Sequence, residues 1–431
     1  MKYFGTDGIR GTWKNFPLQV EFLEKLSLAI SQVMCPRVLV IGRDTRKSGT
    51  EIKDVLIRAF PGDIKIIDVG IVSSPLLSRS VVDFQADLGI MITASHNPAS
   101  DNGVKIFDQF GNKITESLER EIEKIIDQLQ SVTLSDKAVV SEDIEGKYFL
   151  PQEVRERFAK VVVDCANGSA VKFAKHSYQF PQTIWIGDAP DGENINDHCG
   201  SEYPKNLAEK VKQSGAALGI AHDGDGDRVL LCDQNGNIIP GEAILGLIAI
   251  YLKRQNKLNQ DTIVTTPMSN RGLSQSLEKY GIRVELSDVG DRNVAEKMRL
   301  LGCNLGGENS GHIIFTDKAP TSDGIQTALL FLQALVDLDI MPSDVEKMIQ
   351  LLPKKTLNIR VREKVPLDEV PEVNNVIQNE LKNLGDRGKI FVRYSGTELK
   401  LRILVEATTE EFAGKIIKNI KNSIVNCNKI I

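Results

Sequence analysis

The stretch Gly89-Ile-Met-Ile-Thr-Ala-Ser-His-Asn-Pro98 joins a short apolar run to a polar loop. Residues 90–92 are typical of the end of a buried strand, and Pro98 prevents a regular continuation. The hydroxyl of Ser95 is therefore expected on a loop just after a strand. Because ligands of open α/β sheets bind outside the carboxyl ends of the strands, Ser95 is a candidate for contact with a substrate. A serine that bonds to its own turn is the competing interpretation.

A strand–helix–strand pattern surrounds this stretch. Residues 37–41 form an apolar strand, and a polar loop leads into a helix over 49–60 and a strand over 64–69. Similar units begin near Val161 and Ile263, each spanning about the length of one βαβ crossover. These three units predict three related α/β domains, although βαβ units are common enough to resemble one another by chance.

The C-terminal part of the chain has a different pattern. Strands are predicted at 356–361, 390–394 and 400–406, with helices at 370–384 and 410–425, which indicates a small α+β domain. We therefore predict an α/β protein in which three similar mixed α/β domains precede a smaller α+β C-terminal domain, around a central active-site cleft. The expected domain boundaries are 1–147, 148–241, 242–353 and 354–431.

Composition and charge exclude several classes of protein. The 431 residues carry a formal net charge of −5, which argues against a dedicated nucleic-acid binder. Six widely spaced cysteines show no metal-site spacing and are expected to be reduced thiols. The longest apolar run, residues 243–252, is too short to span a membrane, and residues 1–11 contain no apolar run like that of a signal peptide. We expect a cytoplasmic protein without a membrane partner.

The opening residues 3–11 are rich in glycine and polar groups. This composition predicts neither a simple helix nor a strand. The glycines allow sharp turns that would bring the guanidinium of Arg10 close to an anion.

Three carboxylates alternate with glycines at Asp223, Asp225 and Asp227, directly after an apolar run. They would repel one another unless a cation lay between them, and glycine permits the tight curve that turns all three inward. Hard oxygen ligands favour Mg²⁺ or Ca²⁺, and the small number of ligands leaves room for a phosphate oxygen, which suits Mg²⁺. A plain Asp-Gly turn is the alternative.

Two later loops also carry polar groups. Residues 306–312 place a carboxylate, an amide, a hydroxyl and an imidazole on one loop, which suits sugar hydroxyls. Residues 393–398, with Lys400 and Arg402 after them, are typical of an anion-binding loop. Taken alone, each loop is equally well explained as a solvated turn.

Taken together, these motifs resemble the α-D-phosphohexomutase superfamily. Thr-Ala-Ser-His-Asn-Pro at 93–98, Asp-Gly-Asp-Gly-Asp-Arg at 223–228, Gly-Glu-Asn-Ser-Gly-His at 307–312 and Arg-Tyr-Ser-Gly-Thr-Glu at 393–398 follow one another in the family's order, one per domain. The opening Phe-Gly-Thr-Asp-Gly-Ile-Arg-Gly at 4–11 is most similar to members that act on glucosamine phosphates. Tyr394 and Leu399 stand where the family usually has proline, so this loop is expected to be less rigid.

The resemblance implies a function and a set of roles. The enzyme would interconvert glucosamine 6-phosphate and glucosamine 1-phosphate through a phosphoserine and a bound 1,6-bisphosphate, on the route to UDP-N-acetylglucosamine. Its cofactors would be Mg²⁺ and a glucosamine 1,6-bisphosphate activator, and a homodimer is one alternative for its assembly. The implied metal ligands are Ser95, Asp223, Asp225 and Asp227. The implied catalytic residues are Ser95, Arg10, Lys105 and His312. The implied substrate contacts are His96, Arg228, Glu308, Asn309, Ser310, Arg393, Ser395, Gly396, Thr397 and Arg402.

Three other functions compete with this one. A phosphomannomutase or phosphoglucomutase would share the mechanism and differ only in its sugar. A non-catalytic sugar-phosphate binding protein would not need both a nucleophile and a metal. A metal-dependent phosphatase would release phosphate to water.

Overall fold

Six strands in the N-terminal part of the chain form one sheet in the computed structural model, which describes residues 2–5, 7–146, 148–395, 399–425 and 427. They are β1 (Ile9–Thr12), β2 (Val38–Arg43), β3 (Lys65–Ile71), β4 (Leu88–Ile92), β5 (Asp101–Asp108) and β6 (Val139–Ser141). Their spatial order is β1-β5-β4-β2-β3-β6. Strand β2 is parallel to β3 and β4, whereas β5 is antiparallel to β1 and β4. This sheet is therefore mixed.

Four helices accompany this sheet. They are α1 (Val20–Met34), α2 (Gly49–Ala59), α3 (Ser74–Asp83) and α4 (Glu116–Gln128). In α1 the buried residues Leu23, Leu26 and Ile30 recur at helical spacing, and they join Ile41 and Ile90 of the sheet in one apolar cluster. All five residues of β4 are buried, so the strand that leads to Ser95 is fixed within the core.

The beginning of the chain corrects one expectation. The composition of residues 3–11 predicts no regular element, but β1 begins at Ile9 and pairs with β5 from Ile9↔Val104 to Thr12↔Asp101. The pairing partner lies about ninety positions away along the chain, so local composition does not reveal it. The β5 strand itself was not predicted.

The second sheet consists of five strands. They are β7 (Lys160–Asp164), β8 (Gln182–Ile186), β9 (Leu218–His222), β10 (Val229–Asp233) and β11 (Ile238–Ile239). Their order is β11-β10-β9-β7-β8, with β7 parallel to β8 and β9 and with β10 antiparallel to β9. The accompanying helices are α5 (Gln152–Arg157), α6 (Val171–Ser177) and α7 (Pro204–Ser214).

The third sheet consists of four strands. They are β12 (Thr262–Thr265), β13 (Arg283–Leu286), β14 (Leu305–Gly307) and β15 (Ile313–Phe315), in the order β13-β12-β14-β15. The helices of this region are α8 (Gly241–Arg254), α9 (Arg271–Glu278), α10 (Asp291–Leu301), α11 (Gly324–Asp337) and α12 (Val345–Met348). No single helix among the described residues has the length and apolar composition to cross a membrane. Helix α11 with the segment Pro342–Met348, bent by 86°, meets those two criteria only as a pair.

The C-terminal sheet is antiparallel, in the order β16-β18-β17, where the strands are β16 (Lys354–Arg360), β17 (Lys389–Tyr394) and β18 (Lys400–Glu406). Helices α13 (Pro371–Leu384) and α14 (Glu410–Val425) pack on it through an apolar cluster that includes Val373, Leu401 and Ile416. Three α/β regions, each with a mixed sheet, are followed by a smaller α+β region, which confirms the predicted fold class.

Two compact units are present in the chain. One contains Met1–Met268 and Ile282–Val345, and the other contains Ser269–Gly281 and Glu346–Ile431. The residues of α9 therefore group with the C-terminal region and not with the third sheet. The four domain boundaries expected from the sequence stay predictions, as does the position of the C-terminal domain at a central cleft.

Candidate active site

The loop that follows β4 holds Ser95 in a constrained conformation. The φ of Ser95 is +51°, a left-handed value that non-glycine residues adopt infrequently. Its N–H donates to Thr93 Oγ1 at 2.9 Å, and its hydroxyl donates to Asp223 Oδ2 at 2.8 Å. Ser95 is fully buried. The predicted nucleophile is therefore directed at the first of the three predicted metal ligands.

The three aspartates lie on the loop after β9, and the structure brings them together as the sequence predicted. One carboxylate oxygen from each of Asp223, Asp225 and Asp227 lies within 4.8 Å of the others, and all three residues are buried. A Cβ at Gly224 would stand 2.5 Å from the carbonyl oxygen of Ser95, so only glycine lets the two loops approach this closely. Burial, together with the charges of Asp227 and Asp225, raises the pKa of Asp223 well above its usual value.

Lys105 on β5 supplies positive charge to this cluster. Its Nζ lies 2.7 Å from Asp225 Oδ2, 3.2 Å from Asp227 Oδ2 and 2.9 Å from Asp7 Oδ2. Burial opposes the ammonium form, but Asp225, Asp7 and Asp227 outweigh that effect and keep the pKa of Lys105 well above its usual value. The ammonium of Lys105 compensates part of the negative charge of these three carboxylates, as a bound metal ion would.

The cluster fits a metal ion by an independent observation. Asp225 Oδ2 accepts hydrogen bonds from Ser74 Oγ at 2.5 Å and from Lys105 Nζ. Asp225 Oδ1 is buried and has no hydrogen-bond partner among the described residues. A buried carboxylate oxygen without a partner is costly, and a hard cation such as Mg²⁺ would satisfy it. The residues present therefore fit the predicted cation.

A cavity of about 400 Å³ lies beside these loops, large enough for a sugar phosphate. The residues that line it come from the N-terminal segment, from the loops after β4 and β9, and from two loops of the third sheet. They are Tyr3, Gly5, Asp7, Gly8, Arg10, His96, Arg228, Val289, Gly290, Asp291, Glu308, Ser310 and His312. Ser95 and Lys105 are buried beside this cavity but do not line it. The predicted substrate contact Asn309 does not line it either.

His312 connects the third sheet to the aspartates. Its Nε2 lies 3.0 Å from Asp227 Oδ1, and Ser310 Oγ lies 3.2 Å from its Nδ1. Burial alone would lower the pKa of His312, but the neighbouring carboxylate of Asp227 raises this pKa to about 10. Glu308 Oε1 accepts from the N–H of Gly290 at 3.0 Å. A protonated imidazole therefore faces the cavity beside a carboxylate.

Two arginines contribute further positive charge to the cavity. Arg10 pairs with Asp7 and donates through Nη1 to the carbonyl of Ala94 at 3.2 Å. Arg228 Nη1 lies 3.2 Å from Glu202 Oε1. The cavity suits an anion because these cations meet at its wall.

Several residues of this site were not predicted from the sequence. Asp7 accepts from Arg10, Lys105 and Lys113, and Lys113 Nζ also lies 2.6 Å from Asp291 Oδ2. Asp7 stands inside the opening motif, so that motif contained a signal for it. Lys113 is an ordinary lysine in sequence, and only the fold shows that it bridges the partly buried carboxylate of Asp7 and the buried carboxylate of Asp291.

The predicted phosphate-binding loop belongs to the C-terminal sheet. Arg393 and Arg402 are directly opposite one another on β17 and β18, and Arg402 Nη2 donates to Ser395 Oγ at 3.3 Å. Like charges directly opposite one another destabilise a sheet. An anion bound between Arg393 and Arg402 would relieve this repulsion. Gly396 and Thr397 lie outside the described residues.

Comparison with known proteins agrees with this arrangement. Four family models match the chain in order, described as Phosphoglucomutase/phosphomannomutase alpha/beta/alpha domain I at residues 1–133, domain II at 142–236, domain III at 240–354, and the C-terminal domain at 357–423. A phosphoglucomutase/phosphomannomutase family protein from Burkholderia thailandensis has the same fold, with a TM-score of 0.81 and 22% identity over 98% of this chain and 96% of its own. The chain belongs to this family of phosphohexomutases, which are enzymes of the isomerase class that use Mg²⁺.

Curated relatives narrow the position of the chain within this family. Phosphoglucosamine mutase from Thermodesulfovibrio yellowstonii is 39% identical to this chain, and the match covers 98% of both chains. Phosphoglucosamine mutase from Syntrophus aciditrophicus is 37% identical, again over 98% of both. Within the phosphohexomutases the chain therefore belongs with the phosphoglucosamine mutases. The resemblance predicted from the four motifs is confirmed.

Proposed function

We propose that this chain interconverts glucosamine 6-phosphate and glucosamine 1-phosphate through a phosphoserine at Ser95 and a bound 1,6-bisphosphate, and so supplies UDP-N-acetylglucosamine synthesis. One observation carries the proposal. The hydroxyl of Ser95 lies 2.8 Å from Asp223 inside a buried aspartate cluster, next to a cavity lined by cationic and sugar-compatible groups.

The aspartate cluster would hold the metal together with Ser95. Asp223, Asp225 and Asp227 supply carboxylate oxygens, and a phosphate on Ser95 would supply a further oxygen. When bound, Mg²⁺ would neutralise charge on the transferring phosphoryl group, which is what phosphoryl transfer most requires from a protein site.

Three cationic residues would act around the reacting hydroxyl. Lys105 approaches the cluster from β5, Arg10 lines the cavity from the N-terminal segment, and His312 faces it from the third sheet. Because His312 is held in its protonated form by Asp227, it is suited to donate a proton or to stabilise negative charge. Lys105 is a further candidate for proton transfer or charge stabilisation, and the carboxylates of Asp7 and Asp225, within 2.9 Å of its Nζ, favour its charged form.

The remaining predicted residues would bind the substrate. Glu308 and Ser310 would contact the sugar hydroxyls, and Asn309 would influence the choice of sugar from the same loop. His96 and Arg228 would contact the reacting end. The phosphate that does not react would be held by Arg393, Ser395, Gly396, Thr397 and Arg402. A sugar 1,6-bisphosphate would phosphorylate Ser95 and so activate the enzyme. A cytoplasmic location and a homodimer are further proposals, and the geometry of the site tests neither of them.

A mutase assay tests this function. Glucosamine 6-phosphate, mannose 6-phosphate and glucose 6-phosphate are compared by kcat/KM with Mg²⁺ and a trace of the corresponding bisphosphate, for the wild type and Ser95→Ala. We expect glucosamine 6-phosphate to be preferred and Ser95→Ala to be inactive. Preference for another sugar would change the substrate but keep the mechanism. Full activity of Ser95→Ala, or release of free phosphate as the main product, would refute the phosphoserine mechanism.

A further inference from the structure

The guanidinium of Arg46 is fully buried beneath the loop that holds Ser95. Its Nη2 donates to the carbonyls of Ser95 at 2.9 Å and Asn97 at 2.8 Å. Its Nη1 donates to the carbonyls of Pro98 and of Asp101, the latter at 2.8 Å. One side chain thus satisfies three backbone acceptors of this loop and one at the start of β5, and a planar fork of donors is what makes this possible.

A second donor reaches the same loop from the second α/β region. Asn196 Nδ2 donates to the carbonyl of Ser95 at 2.9 Å and to that of Asn97 at 3.0 Å. Asn196 is buried, and its own N–H donates to the carbonyl of Ala166 at 2.8 Å. The two carbonyls at Ser95 and Asn97 therefore each accept from two side chains, those of Arg46 and Asn196.

The other end of the Ser95 peptide is held through the same arginine. Arg46 Nε donates to Asp44 Oδ2 at 2.9 Å, and Thr93 Oγ1 donates to that oxygen at 2.6 Å. Thr93 Oγ1 in turn accepts from the N–H of Ser95. Both the N–H and the C=O of Ser95 thus belong to one hydrogen-bond network around Arg46.

This network surrounds a residue with an unfavourable backbone conformation, Ser95, whose φ is +51°. A left-handed φ at a serine is unfavourable and persists only where the surroundings enforce it. A buried Arg–Asp pair adds little net stability compared with apolar residues of the same size, so stability alone does not explain Arg46. The N–H donors of Arg46 and Asn196 contact the carbonyl of Ser95, the residue whose hydroxyl donates to Asp223.

We propose that Arg46 and Asn196 act together as positioning residues that hold the nucleophile loop in its reactive conformation. Neither lines the substrate cavity, so both act through Ser95. The inference rests on the proposed role of Ser95 as the phosphoryl acceptor. Lysine at position 46 would keep the positive charge but would lose the fork that spans four carbonyls.

The test uses Arg46→Lys, Asn196→Ala and the double variant in the full-length protein. The matched control is Arg43→Lys, an arginine of the same strand region that donates to a single carbonyl, that of Asp44. Four quantities are measured. They are kcat and KM of the mutase reaction, the rate at which a sugar 1,6-bisphosphate phosphorylates Ser95, and amide exchange in peptides covering 93–102.

We expect kcat and the phosphorylation rate to fall about 100-fold in Arg46→Lys, since a misplacement near 1 Å costs about 100-fold in rate. In Asn196→Ala, which removes fewer hydrogen bonds, we expect a fall of about 10-fold. KM should stay within about threefold because no substrate contact is removed. Amide exchange of the loop should accelerate in both variants, and Arg43→Lys should match the wild type.

Two results would overturn the proposal. One is a rise of KM with unchanged kcat, which would make Arg46 or Asn196 a substrate contact. The other is unchanged loop exchange in both variants, which would mean that the loop holds its conformation without them. Amide exchange is measured without turnover, so it tests the positioning role of Arg46 and Asn196 independently of phosphorylation. A wild type whose Ser95 is never phosphorylated would instead refute the proposed function.

Discussion

At the scale of single residues, the charge balance around the aspartate cluster is the most informative feature. Four carboxylates, those of Asp7, Asp223, Asp225 and Asp227, lie in or beside a buried region, and Lys105 contacts three of them. Removing a charge from such a cluster is costly because its partners stay buried and uncompensated. The stability of the protein without metal is therefore expected to depend on Lys105.

We predict that Lys105→Met lowers the stability of the metal-free protein by about 3–5 kcal/mol, the usual cost of breaking a buried pair. Mg²⁺ should restore part of this loss, so that the rise of Tm on adding Mg²⁺ is larger in the variant than in the wild type. Thermal melts with EDTA and with millimolar Mg²⁺ measure both effects. The exposed Lys124 on α4 provides the control variant Lys124→Met. Equal Mg²⁺-induced shifts in variant and wild type would contradict the prediction.

A second residue-scale prediction concerns Asp323, which caps α11. Its Oδ1 accepts from the N–H of Gln326 at 3.0 Å, and its Oδ2 accepts from Tyr148 OH at 2.8 Å. Burial outweighs these hydrogen bonds and raises the pKa of Asp323 from 3.8 to about 6. The folded state therefore holds more protons than the unfolded state between these values, and stability falls as pH rises through this window.

Asp323→Asn removes this titration and keeps the cap. We expect the stability of the wild type, relative to the variant, to fall by about 1 to 2 kcal/mol between pH 5 and pH 7.5. Melting curves at the two pH values measure the change, which corresponds to about one to two degrees in Tm for a chain of 431 residues. Asp136→Asn, at a fully exposed aspartate, is the control and should show no such change. A relative stability that rises over this pH range would mean that the folded state does not raise the pKa of Asp323.

At the scale of elements, helix α4 holds the N-terminal segment in place. The carboxylate of Glu123 accepts from the backbone N–H groups of Lys2 at 2.8 Å, Tyr3 at 2.6 Å and Phe4 at 2.9 Å. These residues precede the turn that brings Asp7 and Arg10 to the cavity. A helix outside the cavity thus fixes one of its walls.

We predict that Glu123→Ala lowers kcat/KM about 10-fold, because three backbone donors lose their acceptor and the Asp7–Arg10 wall loosens. Cleavage of the first residues by a nonspecific protease should also become faster. Glu121→Ala, an exposed glutamate on the same helix, serves as the control. If Glu123→Ala keeps full activity while its N-terminus is cleaved faster, the wall does not depend on this anchor.

The elements also show how far sequence reasoning reaches. The predicted helix over 410–425 and strand over 400–406 agree with α14 and β18, because their apolar residues recur at clear intervals. Strand β1 pairs with β5, which lies about ninety positions further along the chain, and no local pattern contains that pairing. The same holds for the site: Ser95 and the aspartates stand in distinctive motifs, whereas Arg46, Lys113 and Asn196 acquire their roles from contacts across long stretches of chain.

At the scale of the whole molecule, the first compact unit builds its site from three sheets. Ser95 follows β4 of the first sheet, Asp223 follows β9 of the second, and His312 precedes β15 of the third. The bonds Ser95–Asp223 and His312–Asp227 join these regions directly. The predicted metal ligands Ser95, Asp223, Asp225 and Asp227 all belong to this unit, whereas the opposed arginines Arg393 and Arg402 belong to the other.

This division predicts that phosphate binding and metal binding respond to separate substitutions. Arg402→Ala should raise KM about 10- to 100-fold, since a hydrogen bond to a charged group is worth about 1.5–3 kcal/mol. The Mg²⁺ affinity of the aspartate cluster, followed by the Tm shift on titration, should not change.

Arg362→Ala, at an exposed arginine of the same C-terminal region, is the control for charge alone. If it raised KM as much as Arg402→Ala does, the effect would come from the general field of the region and not from a phosphate contact at Arg402. If Arg402→Ala instead weakened Mg²⁺ binding, the two sites would be coupled without substrate. Retention of metal affinity with a selective rise of KM would show that the aspartate cluster is preorganised and that Arg402 acts on substrate binding.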